Sequence, residues 1–278
     1  MPWTFSERIA EFPDAAEAWL RRDPVRNTVP LTVLARVRGG LWGDGAVFGW
    51  LTDGGEVRGA VVHTPPYALL LADIPQDSVA SLAEGLRERD LAGVSGPKDQ
   101  VEAFASAAGR EQAGRTSMRL YRLRTLLAAS STGAARAADG DDVELVTGWM
   151  AAFSEEAEPG FRRAGGREAV REDPRPRVEH GVRQGEVVLW EDGGRRVATA
   201  AFSRPILGMS RISSVYTPPK FRERGYGSAV THAATRAAQD AGADVVVLFT
   251  NLANPTSNAI YQALGYRPVG DYTAVNFR

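Results

Sequence analysis

Alternating and helical patterns of apolar residues divide the chain into short predicted elements. DAAEAWLRRD from residue 14 has helical spacing behind an aspartate cap, and SVASLAEGLRERD from residue 78 repeats that spacing. AVFGWLTDGGEVRGAVVH and GEVVLWEDGGRRVATAAF each hold two β-type runs joined by Asp-Gly-Gly, which predicts two β-hairpins. SMRLYRLRTL, at 117–126, alternates apolar and polar residues as a strand does.

The two predicted hairpins match each other without a gap. WLTDGGEVRGAVVHTPP and LWEDGGRRVATAAFSRP place Asp53 and Pro66 at the same positions as Asp192 and Pro205. An internal duplication explains this match, and coincidence is the alternative because Asp-Gly turns are common in hairpins.

A segment without a periodic pattern of apolar residues separates the two matching parts. Residues 128–142, AASSTGAARAADGDD, are small and polar, a composition typical of a linker. We therefore predict an N-terminal domain over 1–127 and a C-terminal domain over 143–278.

The second part continues with a strand–turn–helix–strand pattern. SRISSVYT and DVVVLFT read as strands on either side of the helical SAVTHAATRAAQDAGA, and FRERGYGS occupies the first turn. Open sheets bind phosphorylated ligands at such a turn. A last helix is predicted in NPTSNAIYQALGY, with Asn254 as cap and Gly265 as stop. The charged, proline-broken REDPRPRVEHG at 171–181 is predicted as a loop.

The turn FRERGYGS has the chemistry of an anion site. Gly225 and Gly227 let a ligand approach the backbone, and Arg222 and Arg224 add positive charge where a helix begins. It lacks the Gly-Lys-Ser/Thr of a Walker loop and the spacing of a dinucleotide fingerprint. An ordinary helix entry is the alternative.

Composition excludes several classes of protein and site. The chain has no cysteine, so disulfides, thiolate metal sites and a cysteine nucleophile are excluded. Its three histidines have no ligand-like spacing, which predicts no metal site. A net charge of −1 argues against a nucleic-acid partner or an anionic membrane surface. No apolar run is long enough to span a membrane and the start does not resemble a signal peptide, so a cytoplasmic location is expected.

Two motifs in their order carry a family resemblance. Arg222-Glu223-Arg224-Gly225-Tyr226-Gly227 resembles the Arg/Gln-x-x-Gly-x-Gly/Ala signature of the GNAT superfamily of acetyl-CoA-dependent N-acetyltransferases, and SNAIYQALGY resembles the closing helix of that family. The resemblance covers 143–278. The first part looks like a degenerate copy without the glycine signature, in which coenzyme binding is lost. The resemblance implies an α/β protein with two GNAT-like domains, each a mixed, mostly antiparallel sheet flanked by helices.

The resemblance also implies roles for individual residues. The amides of the signature turn would hold the pyrophosphate of acetyl-CoA: Arg222, Arg224, Gly225, Tyr226, Gly227 and Ser228. The strand end Val215-Tyr216-Thr217 would pair with the pantetheine arm, with an amide near Val215 polarising the thioester carbonyl. Asn254 would lie near the arm and Tyr261 near the sulfur. A tyrosine can hydrogen-bond a leaving thiolate, whose thiol has a pKa of about 8.5 against about 10 for tyrosine. A core aromatic is the alternative for Tyr261.

One departure from the family concerns the general base. Many members carry a glutamate on the strand before the signature, where this chain reads MSRISSVYT without a carboxylate. Glu155, Glu156 and Glu158, which follow the first helix of the second part, are the candidates instead. A solvated helix end is the alternative for each of them, and the base stays unassigned.

These inferences define an enzyme hypothesis with two rivals. The chain is expected to transfer acetyl from acetyl-CoA, as co-substrate, to a primary amine of a small molecule or peptide, by direct attack. The first rival uses a longer acyl-CoA or a glycine-like acceptor. The second is a non-catalytic coenzyme A sensor. A homodimer is compatible with either class.

Overall fold

The computed structural model describes residues 2–42, 45–157 and 173–278. Eight helices lie within these ranges: α1 (Asp14–Arg21), α2 (Thr28–Arg38), α3 (Val79–Gly85), α4 (Lys98–Ala108), α5 (Val143–Ala157), α6 (Arg175–Arg183), α7 (Tyr226–Asp240) and α8 (Pro255–Ala263). Twelve strands lie within them: β1 (Trp3–Ser6), β2 (Val47–Asp53), β3 (Glu56–His63), β4 (Leu69–Leu71), β5 (Gly93–Pro97), β6 (Gln112–Leu123), β7 (Ala134–Ala137), β8 (Val187–Asp192), β9 (Arg195–Phe202), β10 (Met209–Tyr216), β11 (Val245–Asn251) and β12 (Tyr266–Phe277).

The described residues divide into two units. The first unit contains the residues up to 118 together with 270–278, and the second contains 119–157 and 173–269. This division differs from the predicted domains 1–127 and 143–278, because the end of β6 belongs to the second unit and the end of β12 to the first. Composition marks polar segments, whereas strand pairing decides to which unit a strand belongs.

The first unit is a mostly antiparallel sheet with helices. Its strand order is β1-β2-β3-β4-β5-β12, and only the β4–β5 pair is parallel. The predicted hairpin is present, with Asp53 opposite Glu56 and both turn glycines, Gly54 and Gly55, at positive φ. Phe48, Leu34 and Phe104 are among the buried side chains of its core.

The second unit repeats this architecture. Its strand order is β6-β11-β10-β9-β8-β7, in which β10 and β11 are parallel and β9 and β8 pair antiparallel with their neighbours. The second Asp-Gly-Gly hairpin is also present, with Asp192 opposite Arg195. Two α/β units, each with a mixed, mostly antiparallel sheet and flanking helices, confirm the predicted fold class.

Helices cover both faces of the second sheet. Val188 of β8 packs in the core formed with α7, whereas its neighbours Val187 and Leu189 pack in the core formed with α5 and α6. Successive side chains of a strand point to opposite faces, so these two cores lie on opposite sides of the sheet.

The segment predicted as a linker contains regular structure. Strand β7 lies within 128–142 and pairs with β8, from Ala134 opposite Glu191 to Ala137 opposite Val188. A single 3-10 turn, Gly140–Asp142, then leads into α5. Small residues such as those of AARA carry no apolar alternation, so the pattern cannot indicate this edge strand.

The predicted loop at 171–181 is wrong for most of its described part. Helix α6 runs from Arg175 to Arg183, with Pro174 as its cap residue and Pro176 in its first turn. Proline is tolerated there because the first amides of a helix have no intrahelical acceptor. The prolines of this segment therefore mark a helix start.

The carboxylate of Asp142 organises the entry to α5. Its side chain is 0% exposed, and its two oxygens accept hydrogen bonds from Arg136, at 2.5 and 3.0 Å. Asp142 also forms an ion pair with Arg196, at 3.4 Å, and accepts from the amide of Asp139, at 3.0 Å. The Arg136 hydrogen bonds hold the pKa of Asp142 below its ordinary value of 3.8.

Asp142→Asn is expected to lower the free energy of unfolding by about 3 kcal/mol, because it removes a buried carboxylate charge that Arg136 and Arg196 pair with and places an amide donor against the Arg136 donors. Since the native pKa lies below the unfolded one, this stabilisation is complete above pH 3.8 and is lost as pH falls through the native value. Denaturant unfolding of the variant and of Asp141→Asn, its exposed neighbour, measures the difference. Equal loss in both variants would contradict this role of Asp142.

Candidate active site

Strands β10 and β11 are paired over only part of their lengths. The parallel register runs from Met209 opposite Val245 to Ile212 opposite Leu248, although β10 continues to Tyr216. On its other edge, β10 pairs with β9 through an irregularity between Ser213 and Tyr216, where Ser214 has φ +54°. The end of β10 therefore offers a backbone edge beyond the β11 ladder, to which an extended ligand can hydrogen-bond as a strand does.

The signature turn forms the start of α7. Gly225, with φ +80°, is the residue before the helix, and Glu223 also has a positive φ of +64°. The amide of Ala229 donates to the Gly225 carbonyl at 3.0 Å. The amides of Tyr226, Gly227 and Ser228 precede that bond, and a helix leaves such amides without an intrahelical acceptor. Together with the helix dipole, these amides suit an anion.

The two glycines of the turn are required for different reasons. A Cβ at Gly225 would lie 3.2 Å from the Ser130 carbonyl oxygen and would need the left-handed φ. A Cβ at Gly227 would have only ordinary contacts, 3.6 Å from Thr217 Oγ1 and 3.8 Å from Ile260 Cδ1. The fold therefore needs a glycine at 225, whereas at 227 the protein itself leaves room for a side chain.

Thr217 supplies an unsatisfied polar atom beside Gly227. Its Oγ1 is buried and has no hydrogen-bond partner in the part of the chain that the structure describes. Buried hydroxyls without partners are costly and uncommon. A phosphate or pantetheine oxygen near the start of α7 would satisfy this hydroxyl, so the residues present fit the pyrophosphate arm of a coenzyme A thioester.

The positive charges near the turn are not equivalent. Arg222 is engaged: its Nη2 lies 2.5 Å from Glu156 Oε2, and its Nε donates to the Thr217 carbonyl at 2.9 Å. Lys220 and Arg224 are exposed, and neither has an ion pair within the described ranges. The charges open to a ligand are thus those of Lys220 and Arg224.

The side chain of Tyr226 points into the protein. It is 4% exposed and lies in the core formed with α7, and its hydroxyl donates to the Asp192 carboxylate. This hydrogen bond is the largest influence holding the pKa of Asp192 below its ordinary value. Only the amide of Tyr226 is placed for a ligand.

Part of the predicted linker lies against the signature turn. Ser131 Oγ donates to the Arg224 carbonyl at 3.1 Å, and Thr132 Oγ1 donates to Asp192 at 2.9 Å. The Thr132 carbonyl in turn accepts from Trp190 Nε1 at 2.8 Å. These contacts fix residues 130–132 beside the start of α7, and no motif in this small polar run indicates them.

Tyr261 lies on α8, beside the start of α7. Its neighbour Ile260 is the residue that approaches Gly227, and Tyr261 itself is 7% exposed, with its ring 6.3 Å from that of Tyr266. Burial raises the pKa of Tyr261 to about 12. The phenol therefore keeps its proton at neutral pH and is a hydrogen-bond donor.

Asn254 has a visible structural role. It caps α8, and its side chain accepts from the amide of Ser257 at 3.0 Å. Its carbonyl accepts from Asn258 Nδ2 at 2.7 Å. The predicted place of Asn254 near the coenzyme arm remains a prediction.

The candidate bases differ in their surroundings. Glu156, near the end of α5, accepts from the Tyr216 hydroxyl at 3.3 Å in addition to its Arg222 ion pair. Glu155 is exposed on the same turn of helix, and Glu158 lies outside the described residues. Strand β10 carries no carboxylate. The geometry thus assigns no general base.

No group of three or more histidine, aspartate or glutamate side chains is arranged to hold a metal ion in the described ranges. None of the helices described is both long enough and apolar enough to cross a membrane.

Part of the chain is similar in sequence to a known protein family. Residues 149–266 match the model of the Acetyltransferase (GNAT) family. No curated protein matches the sequence.

Solved structures are similar over the whole chain. A GNAT-family acetyltransferase from Colwellia psychrerythraea is 11% identical, with TM-score 0.63 and 100% of both chains covered. A GCN5-related N-acetyltransferase from Sphaerobacter thermophilus is 17% identical, with TM-score 0.61, covering 98% of this chain and 94% of that one. A tandem GNAT protein from the clavulanic acid biosynthesis pathway is 12% identical, with TM-score 0.57, covering 99% of this chain and 98% of that one. At these identities the likeness concerns the fold. Residues 149–266 thus match the GNAT acetyltransferase family model, and the fold of the chain is similar to that of a tandem GNAT protein.

Proposed function

We propose that the protein is an acetyl-CoA-dependent N-acetyltransferase that moves an acetyl group to a primary amine of a small molecule or peptide. The match of residues 149–266 to the GNAT family model and the GNAT-like fold support acyl transfer. The observation that carries the proposal is the start of α7, where free first-turn amides, room at Gly227 and the unsatisfied Thr217 hydroxyl coincide.

In this proposal, each element contributes one interaction to the coenzyme. The amides from Arg222 to Ser228 hold the pyrophosphate, with Arg224 adding charge from the surface. The edge of β10 from Val215 to Thr217 pairs with the pantetheine arm and orients the thioester, and an amide near Val215 polarises its carbonyl. Asn254 keeps the turn between β11 and α8 in place near the arm.

The chemical step needs no covalent enzyme intermediate. The amine nitrogen attacks the thioester carbonyl carbon, an N–C bond forms, and the C–S bond breaks with its electron pair on sulfur. Tyr261 donates a hydrogen bond to the sulfur as this charge develops, and the proton lost by the amine passes to water. Glu155 and Glu156 are the candidate proton acceptors, and the Glu156→Gln variant described below tests Glu156.

We further propose that only the second unit binds the coenzyme. In the first unit, the helix after the parallel strand β4 is the seven-residue α3, without an arginine-glycine turn before it. The Gln100 side chain, 7% exposed, donates to the Ile74 carbonyl at 2.8 Å beyond the end of β4. The Gln100 side chain thus occupies the Ile74 carbonyl, a backbone group in the part of the first unit that corresponds to the proposed ligand-binding part of the second unit.

A thiol-release assay tests the enzyme proposal. The chain has no cysteine, so a thiol reagent reports only coenzyme A. Acetyl-CoA is incubated with a panel of polyamines, aminoglycosides, amino acids and peptide N-termini, and longer acyl-CoAs are compared with the accepted amine. Turnover with an amine above the hydrolysis background is expected. Binding of acetyl-CoA without turnover on any amine would favour the coenzyme A sensor instead.

A further inference from the structure

The Glu156 side chain connects α5 to the coenzyme side of the second unit. Its Oε2 lies 2.5 Å from Arg222 Nη2, and its Oε1 accepts from the Tyr216 hydroxyl at 3.3 Å. Arg222 belongs to the signature turn, and Tyr216 to the end of β10. A single carboxylate therefore contacts both elements proposed to hold acetyl-CoA.

Arg222 closes the turn between these two elements. Its Nε donates to the Thr217 carbonyl, five residues earlier, at 2.9 Å, and its guanidinium carbon lies 5.9 Å from the centroid of the Tyr216 ring. The segment from Thr217 to Arg222 is thereby fastened end to end. Because Glu156 on α5 accepts from Arg222 Nη2, the orientation of the Arg222 side chain, and with it the hydrogen bond to Thr217, depends on α5.

The aromatic side of α5 supports the same contact. Tyr216 packs in one core with Met150, and its ring centroid lies 6.4 Å from those of Trp149 and Phe153. Helix α5 thus fixes the Tyr216 ring by packing and its hydroxyl through Glu156. The position of the last turn of α5 is coupled to the end of β10 and to the signature turn.

The contacts of Glu156 argue against a role as the proton acceptor. A general base needs a lone pair directed at the amine or at a water beside it. Each Glu156 oxygen already accepts a hydrogen bond from a protein donor, Oε1 from the Tyr216 hydroxyl and Oε2 from the Arg222 guanidinium.

We propose that Glu156 is a positioning residue, which holds Arg222 and through it the Thr217–Arg222 turn in the geometry that receives the acyl-CoA pyrophosphate arm. The proposal rests on the proposed function for its ligand. The other part of the proposal, that Glu156 orders the Thr217–Arg222 turn, does not depend on a bound coenzyme.

Glu156→Gln separates positioning from base catalysis. Gln keeps the size of the side chain and can still accept from Tyr216 but loses the charge pair with Arg222. Because that pair is half-exposed, we expect KM and Kd for acetyl-CoA to rise about fivefold, with kcat within about twofold and its pH profile unchanged. A general base would instead show kcat falling about 100-fold or more and losing its acidic limb.

A double-mutant cycle with Arg222→Gln tests the pair itself. If Glu156 acts through Arg222, the variant with both substitutions binds acetyl-CoA no more weakly than Arg222→Gln alone. If the double variant instead loses as much binding free energy as the two single variants together, the proposal would be overturned.

A readout without coenzyme keeps the inference independent of the enzyme proposal. Amide hydrogen exchange over 217–224 is expected to be several-fold faster in Glu156→Gln than in the wild-type protein. Glu144→Gln is the matched control, since Glu144 lies near the other end of α5 and pairs with Arg175 at the surface. Its exchange over 217–224 should equal that of the wild type.

The outcomes separate two failures. Faster exchange in Glu156→Gln with no acetyl-CoA binding by the wild type would overturn the proposed function and leave the positioning role. Wild-type exchange in Glu156→Gln, or a collapse of kcat at unchanged KM, would overturn the positioning role and leave the proposed function.

Discussion

Tyr261→Phe is expected to lower kcat about 100-fold while Kd for acetyl-CoA stays within about twofold, because it removes one donor to the leaving sulfur in a buried site. The Tyr261 ring remains able to pack, so the loss falls on the transition state and leaves ground-state binding intact. Burial raises the pKa of Tyr261 to about 12, above the value of about 8.5 for a free thiol. The phenol therefore acts as a hydrogen-bond donor that keeps its own proton.

Tyr266→Phe is the matched control for this substitution. Tyr266 is also buried, 0% exposed, but its hydroxyl shares a hydrogen bond with Thr235 at 2.6 Å. Its loss should cost about 1 kcal/mol of stability and leave kcat within about twofold. Steady-state kinetics with the amine found in the thiol-release panel, together with calorimetric Kd values, measures both variants. Equal kcat in wild type and Tyr261→Phe would remove Tyr261 from the mechanism.

Gly227→Glu is expected to weaken acetyl-CoA binding about 100-fold or more, because it places a carboxylate where the pyrophosphate would contact the first amides of α7. The fold should tolerate the substitution, since a Cβ at Gly227 meets only ordinary contacts of 3.6 and 3.8 Å. A glutamate in the first turn of a helix is also favourable for the helix itself. Thermal unfolding should therefore show a midpoint at or above that of the wild type.

Gly148→Glu provides the control for added charge on a helix. Gly148 lies on α5 and is exposed, and a Cβ there would have no heavy atom within 4 Å. Gly225→Ala is less informative, because its positive φ and the nearby Ser130 carbonyl predict a loss of stability of their own. Undiminished binding by Gly227→Glu would exclude the start of α7 as the coenzyme site.

Much of the fold could be predicted from strong local patterns. Both Asp-Gly-Gly hairpins, the helix from Asp14 to Arg21 and the capped α8 are where the sequence places them. Each is specified by residues a few positions apart, as a turn, a cap or a helical period. The predicted aspartate cap of the first helix is wrong, because Pro13 is the cap residue and Asp14 is already helical.

Elements defined by distant partners could not be predicted. The sequence pattern predicts no element over α2, in which seven of eleven residues are buried, because a helix covered on most sides shows no clear apolar stripe. Strand β7 and the ends of β6 and β12 depend on pairing between segments far apart in the sequence. No local pattern carries that information.

The candidate site shows the same division. The signature turn and Tyr261 were identified from motifs, and the structure brings their helices together at Gly227 and Ile260. The Glu156–Arg222 ion pair joins residues 66 positions apart, and the contact of Ser131 with Arg224 joins residues 93 apart. No sequence spacing indicates either contact. Only the folded chain shows that Arg222, predicted to bind phosphate, forms an ion pair with Glu156, a predicted base.

The proposed function requires that the start of α7 in the second unit binds acetyl-CoA, once per chain. Calorimetric titration of the wild-type protein with acetyl-CoA, repeated with Gly227→Glu, tests it most directly. We expect micromolar binding with a stoichiometry of one per chain, lost in Gly227→Glu while the variant stays folded. No binding to the folded wild type, two equal sites per chain, or full binding by the variant would contradict it.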